Sequence, residues 1–253
     1  MNFRLQLKQT AFALSLVLAA IGAHAEGHGP HWQYKGEHNP AHWAELDPAF
    51  EACAHGNRQT PIDIRATEKV ALPALEFAYS SATPRIVNNG HTVQVNLPAG
   101  QTLTVGEQSY ELLQFHFHTP SEEAINGKRK PLVAHFVHKN AAGQLGVVAV
   151  LFDFGASNAA FAPVFEHLPA KAGETITVED LTLDLAALLP ADKGYYNFEG
   201  SLTTPPCSEG VNWMVLKTPV KLSALQIKSF RRIFNSNARP IQPGNGRPIK
   251  ESL

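Results

Sequence analysis

Gln114-Phe115-His116-Phe117-His118 and, downstream, Leu132-Val133-Ala134-His135-Phe136-Val137-His138 are the two stretches on which the reading of this chain turns. Side chains along a strand alternate between faces, so His116 and His118 point one way while Phe115 and Phe117 enter the opposite layer. A neighbouring strand that carries His135 would complete a cup of three imidazole nitrogens. Such a cup leaves a tetrahedral zinc ion one open position for water or substrate, the arrangement of a catalytic rather than a structural site. Two histidines on one strand face are as often a satisfied polar pair as a ligand pair. Here, however, the segment from Tyr110 to His118 is apolar and aromatic, where buried imidazoles are costly unless a metal or hydrogen bonds compensate them.

The chain has 253 residues, 44% of them hydrophobic, enough for one large domain with a sizeable core. No low-complexity linker, charge block or repeat divides it. Arg4 and Lys8 precede an apolar run from Ala11 to Ile21, and Ala23-His24-Ala25 has the small-x-small pattern of a cleavage site. Residues 1–25 therefore read as a signal peptide cut before Glu26, and residues 26–253 as the mature domain, periplasmic or secreted. The leader carries no acidic residue, so its removal takes the formal charge from -1 to -3, which argues against a nucleic-acid partner. The apolar run is short for a membrane span, and no later stretch approaches the required length, so no span is expected in the mature protein.

Two cysteines, Cys53 and Cys207, are expected to pair in an exported protein. Closing a loop of 154 positions has an upper-end stabilisation of about 5 kcal/mol.

Strands are predicted over His91 to Leu97 and around Val133 to Val137 and Val147 to Phe152. Asn88-Asn89-Gly90 and Pro98-Ala99-Gly100 supply turns. A helix is predicted from Ser157 through Leu168, with Pro163 demanding a start or kink. Ser223 and Gln226 form a capping-box pattern that opens a second helix, with Ile227, Phe230, Ile233 and Phe234 on its apolar side. Downstream, Gly200-Ser201-Leu202-Thr203-Thr204-Pro205-Pro206-Cys207 reads as a rigid loop presenting hydroxyls, since two prolines cannot donate backbone hydrogen bonds.

Taken together, His-x-His followed by Ser121-Glu122, His135 seventeen positions after His118, Asn89-Gly90-His91 upstream and Ser-Leu-Thr-Thr-Pro-Pro downstream resemble an alpha-class carbonic anhydrase of the exported bacterial type. The resemblance runs from Trp32-Gln33-Tyr34 to Asn237-Ala238-Arg239-Pro240. It implies an α+β, mostly β single domain on a large twisted, mainly antiparallel sheet with peripheral helices. It also implies an enzyme, a lyase that reversibly hydrates carbon dioxide to bicarbonate and a proton by a zinc-bound hydroxide. Exported bacterial members are commonly dimers, so a homodimer is compatible with it.

By resemblance His116, His118 and His135 match the zinc ligands, Gln114 the residue that orients His116, and the backbone carbonyl of Asn237 the acceptor for His118. Thr203 and Glu122 match the pair that orients the hydroxide, with Thr204 beside them. Val137, Val147, Leu202, Val211 and Trp213 match the apolar wall for carbon dioxide. His91 matches the proton shuttle, and Tyr34, Asn89 and Gln94 the polar positions along its path, Gln94 being longer than the Asn usual there. The chemistry of these roles is elementary. An ionised carboxylate only accepts, so a Thr203 hydroxyl that donates to Glu122 must accept from the hydroxide and thereby aims its lone pair. Proton release straight to water would cap turnover at roughly 10³ per second, from a recombination limit of about 10¹⁰ M⁻¹s⁻¹ and an acid constant of about 10⁻⁷. An imidazole with an ordinary pKa near 6.5 relieves that limit. His28, His31, His38, His42, His55, His138 and His167 read as surface or structural residues, the first two as weak binders of adventitious metal at most.

The chain departs from the family at one point. Members usually place Glu two residues before the third ligand, where it accepts from that imidazole; here the position is Val133. The position after Glu122, usually His or Asn, is Glu123, and a nearby position that often carries a Tyr hydroxyl is Phe198. Glu123 replacing the absent carboxylate is one reading, and a water or carbonyl as the acceptor is the other. Two rival functions remain to be weighed. A cupin-type oxygenase also uses His-x-His with a Glu four positions on, but the matching glycine-rich frame is missing. A non-catalytic binding module of the same fold would have lost ligands, whereas all three histidines are present.

Overall fold

The computed structural model describes residues 31–178 and 181–253. The leader over residues 1–25, its cleavage before Glu26, and His28 lie outside the described residues. Ten strands form the spine of a thirteen-stranded sheet. They are β1 (Glu68–Val70), β2 (Arg85–Asn88), β3 (Val93–Asn96), β4 (Gln108–His118), β5 (Leu132–Asn140), β6 (Leu145–Phe154), β7 (Thr175–Thr177), β8 (Tyr195–Ser201), β9 (Glu209–Leu216) and β10 (Lys250–Ser252). Their order across the sheet is β7-β2-β3-β4-β5-β6-β9-β8-β10-β1. Pairing along this spine is antiparallel except at β6–β9 and β10–β1. Among the described residues helices are short and few, as the α+β, mostly β expectation requires, and the longest is Ala224–Ile233.

The three central strands explain themselves through alternation. Phe115 and Phe117 of β4, Phe136 of β5 and Val148, Val150 and Phe152 of β6 all face one layer, where they meet Phe161, Phe165, Ile227 and Phe230. Val133 and Val137 of β5, with Val147, Ala149 and Leu151 of β6, face the other layer beside Val211 and Trp213 of β9. A sheet buried on both faces reads as near-continuous apolar sequence, which is how β6 reads. His116, His118 and His135 lie on the second face.

The predicted helix caps and ends fare unevenly. Ser223 and Gln226 form both bonds of the capping box. The other predicted helix shrinks to Ala162–Glu166, because Asn158 Oδ1 accepts from the amides of Ala160 and Phe161 and Pro163 lies in the first turn. The strand expected from His91 begins only at Val93. Asn89 Oδ1 accepts from the amides of both His91 and Thr92, which holds those two residues in a turn. At the far motif, Gly200 and Ser201 complete β8, so the loop starts at Leu202. Gly200 is required there: a Cβ on it would lie 2.1 Å from Thr60 Oγ1.

Candidate metal centre

Antiparallel register sets His116 directly opposite His135, and His118 opposite Val133. The three rings then gather with centroids 4.8 to 5.5 Å apart. In each ring one nitrogen donates to an acceptor behind it. His116 Nδ1 donates to Gln114 Oε1 at 2.9 Å, His118 Nδ1 to the carbonyl of Asn237 at 2.7 Å, and His135 Nε2 to Glu123 Oε1 at 3.0 Å. The opposite nitrogens, Nε2 of His116 and His118 and Nδ1 of His135, are left to converge. One ligand atom from each ring lies within 4.8 Å of the others, and His118 Nε2 is buried without a hydrogen-bond partner among the described residues. Three lone pairs converging on one point, one of them orphaned, fit a divalent metal with imidazole ligands.

Electrostatics supports that fit directly at two of the three rings. Burial pushes the His116 imidazole well below its ordinary pKa, and the neighbouring His118 and His135 push the same way. Burial also lowers His118, against the pull of Glu122. Both rings are thereby kept neutral, with a lone pair free. For His135 burial acts in the same direction, but the charge and hydrogen bond of Glu123, with Glu122 behind, outweigh it and raise the pKa. Burial alone would raise Glu123; the facing His135 holds it below the usual carboxylate range.

Glu122 is fully buried, and its Oε1 accepts from the Arg239 amide at 2.8 Å. Its Oε2 points among the imidazoles, 3.6 Å from His118 Nε2 and 3.8 Å from His135 Nδ1, without a hydrogen-bond partner among the described residues. The Thr203–Glu122 hydrogen bond expected from sequence is therefore not formed here; the free oxygen is turned toward the ring nitrogens instead. Arg239, for which the sequence suggested no role, holds this carboxylate in place. Its guanidinium, 1% exposed with the rest of the residue, donates to Gln59 Oε1, Thr60 O and Cys53 O at 2.8 to 2.9 Å and lies over Trp43. Burial lowers its pKa to about 10.

A cleft of about 180 Å³ opens above the imidazoles. Val137, Val147, Leu202 and Trp213 give it an apolar side, and Tyr34, Asn89, Gln94, Thr203 and Thr204 add polar groups. Val211 is the exception among the residues assigned to this wall. At 2% exposure it packs against the apolar cluster of Val137, Val147 and Trp213 and does not line the cleft. Tyr34 Oη is buried and has no hydrogen-bond partner among the described residues, and Gln94 Nε2 donates to Asn96 Oδ1 at 2.7 Å. His91 sits at the cleft lip, stacked on Trp32 at 3.6 Å between ring centroids, with His31 5.8 Å away. Partial burial, and secondarily His31, lower its pKa. Nothing in the sequence distinguished Trp32 from an ordinary core aromatic. Cys53 and Cys207 are joined by a disulfide that spans 154 positions and closes the loop holding Thr203.

A profile of eukaryotic-type carbonic anhydrases matches residues 38–253. The chain is 45% identical over 241 residues to a carbonic anhydrase of Pectobacterium atrosepticum, covering 94% of this chain and 98% of that protein. It is 41% identical over 252 residues to a carbonic anhydrase of Neisseria gonorrhoeae, covering 99% of each. Among solved structures, an alpha-carbonic anhydrase of Photobacterium profundum matches with a TM-score of 0.83 at 48% identity, across 87% of this chain and 100% of that one. With a metal-binding cup of three histidines at the floor of its cleft, the chain belongs to the alpha, or eukaryotic-type, carbonic anhydrase family of enzymes.

Proposed function

We propose that this enzyme hydrates carbon dioxide reversibly to bicarbonate and a proton, with zinc as its metal and His116, His118 and His135 as the ligands. The observation that carries the reading is the backing of each imidazole by Gln114, Asn237 or Glu123, which fixes all three tautomers so that the free lone pairs converge. Zinc bound there supplies a water acidified to a pKa of about 7, a value that the general chemistry of carbonic anhydrase provides, and hence a hydroxide at neutral pH.

The remaining work falls to the chain. Val137, Val147, Leu202 and Trp213 offer carbon dioxide a dry surface beside the cup, while Val211 supports that wall from behind. Glu122 Oε2 has no hydrogen-bond partner among the described residues; when it takes the Thr203 hydroxyl proton, the Thr203 oxygen can only accept from the nucleophile and orient it. Thr204 holds the polar side of the same loop. His91 takes the proton that leaves the cleft floor, along polar positions lined by Tyr34, Asn89 and Gln94, and passes it outward from its place on Trp32.

The mature chain is proposed to begin at Glu26 and to act outside the cytoplasm, a reading that the Cys53–Cys207 bridge supports. Metal analysis of purified protein, combined with a carbon dioxide hydration assay, tests the proposal. One zinc per chain and loss of metal and activity together in any His→Ala ligand variant are expected. Full activity in a metal-free preparation would overturn it.

A further inference from the structure

Away from the cleft, a shallow groove of about 450 Å³ is lined by Pro120, Lys128, Arg129, Lys130, Pro131, Asp153, Phe154 and Arg231. Its charge is one-sided. The only carboxylate in that lining, Asp153, is shared by Lys130 at 2.7 Å and by Lys221 at 3.6 Å. Lys128, Arg129, Lys130, Lys221 and Arg231 against Asp153 leave +4 on this face, so the rest of a chain of net charge -1 carries -5.

The two guanidiniums are held by neutral groups. Arg129 Nη2 donates to the carbonyl of Arg239 at 3.0 Å; Arg231 donates through Nε to Thr119 Oγ1 at 2.9 Å and through Nη2 to the Pro131 carbonyl at 3.0 Å. These bonds fix the side chains in place without cancelling their charge, and neither has a carboxylate partner among the described ion pairs. Fixed, unneutralised guanidiniums are suited to phosphate, which they bind through paired N–H groups. Within the same groove Phe154 is 53% exposed, an aromatic ring set among cations.

We propose that this face docks the protein on an anionic phospholipid surface. The groove cations receive headgroup phosphates, and Phe154 enters the interfacial layer, where an aromatic ring is stabilised. Each cation near such a surface adds attraction that falls off within a Debye length, so docking weakens with salt.

Cosedimentation of the intact protein with phosphatidylglycerol-containing vesicles tests this, with phosphatidylcholine vesicles as the uncharged arm. Binding to the anionic vesicles alone, reduced by added salt, is expected. The variant Lys128→Glu/Lys221→Glu should partition at least about tenfold more weakly. Lys69→Glu/Lys171→Glu, which makes the same charge change at exposed positions elsewhere, should bind as the parent does. Carbon dioxide hydration should be unchanged in both. In a Phe154→Trp variant, the added emission should shift to the blue with anionic vesicles and not with inorganic phosphate. No sedimentation with anionic vesicles at low salt, equal loss in the two charge variants, or no emission shift would overturn the proposal.

Discussion

Glu123 and His135 are twelve positions apart, and Glu123 Oε1 lies 3.0 Å from His135 Nε2 in a fully buried pair. Val133, two residues before His135 on the same face of β5, offers that ring nothing to donate to. The carboxylate that steadies the ring thus arrives from the loop after β4 rather than from β5 itself. Phe198 stacks parallel to Trp213, which in turn meets His135 edge-on, so apolar surface fills the space beyond the ring.

The first prediction concerns that pair. Glu123→Ala should weaken zinc binding by about 10 to 100-fold, the usual cost of losing a group that orients a metal-ligating imidazole. Adding Val133→Glu to it should recover much of the loss, because the new carboxylate would come from the ligand's own strand. Val133→Glu alone should help less, since two close buried carboxylates resist full ionisation together. Competitive chelator titration of the four proteins decides the matter, and unchanged affinity in Glu123→Ala would rule out the assignment.

A second prediction addresses proton release. His91→Ala should depress maximal turnover far more than the second-order rate, and imidazole buffer should restore part of it. Imidazole accepts a proton only when neutral, and burial lowers the His91 pKa. Turnover should therefore rise with pH about a midpoint below the ordinary histidine value. Stopped-flow rates across a pH series would show it; wild-type turnover of His91→Ala in weak buffer would assign the proton to another carrier.

Much of this centre was legible because it is built from short-range pattern. Alternation in Gln114 to His118 placed the imidazoles on one face and the phenylalanines on the other, and the β4–β5 register did the rest. What escaped depends on partners far apart in sequence. Arg239 reaches Cys53, Gln59 and Thr60 across 179 to 186 positions, and no local periodicity marks such a residue. Val211 shares the apolar cluster of Val137, Val147 and Trp213 but does not line the cleft itself, a depth that strand alternation alone does not specify. The start of β3 was misjudged because a side-chain acceptor, Asn89 Oδ1, outcompeted the ladder for two amides.

Acid stability supplies a third prediction, away from the metal. His138 is fully buried, with Tyr79 Oη 2.6 Å from its Nε2 and the Gly146 carbonyl 3.3 Å from its Nδ1. Burial lowers its pKa from 6.5 to about 4. Between those values the unfolded chain binds the proton and the folded chain does not. Its contribution is therefore fully present above pH 6.5 and is lost as pH falls through about 4, a span worth about 3 kcal/mol. Denaturant titrations across this range should show a pH slope that is shallower by nearly one proton in His138→Gln. An identical slope would remove His138 from the account.

The fourth prediction is that Gly200→Ala destabilises the protein and disturbs the cleft loop. A Cβ there would lie 2.1 Å from Thr60 Oγ1 and 2.7 Å from Trp213 Cδ1. Thr60 and Ser201 are locked by reciprocal bonds, each side-chain oxygen accepting from the other's amide at 2.9 Å. Thr60 cannot retreat without breaking that lock, and Trp213 is tied by its own Nε1 donation to the Ser201 carbonyl at 3.0 Å. Thr60→Gly in the same protein should relieve part of the clash, and a melting temperature for Gly200→Ala equal to that of the parent would refute the argument.

The last prediction joins the disulfide to the metal centre. Cys207 ends the loop that carries Thr203 and Thr204, and Cys53 lies in the short helix Ala52–His55. Gln59 Nε2 donates to the Cys207 carbonyl at 3.0 Å, Arg239 Nη2 donates to the Cys53 carbonyl at 2.8 Å, and the Arg239 amide donates to Glu122 Oε1. Both ends of the bridge are thus bound into the group that positions the carboxylate beside the imidazoles. Opening a loop of this length removes up to about 5 kcal/mol of restraint on the unfolded chain. Reduction, or Cys53→Ala/Cys207→Ala, should therefore lower the melting temperature and also loosen Glu122. Arg239→Lys in the oxidised protein separates the two effects: it keeps the bridge but supplies a single ammonium where three guanidinium bonds were made. If Glu122 depends on Arg239, that variant should lose carbon dioxide hydration while retaining its disulfide and its zinc. Full hydration activity in Arg239→Lys, with the bridge intact by non-reduced peptide mass spectrometry, would disconnect the disulfide from the chemistry.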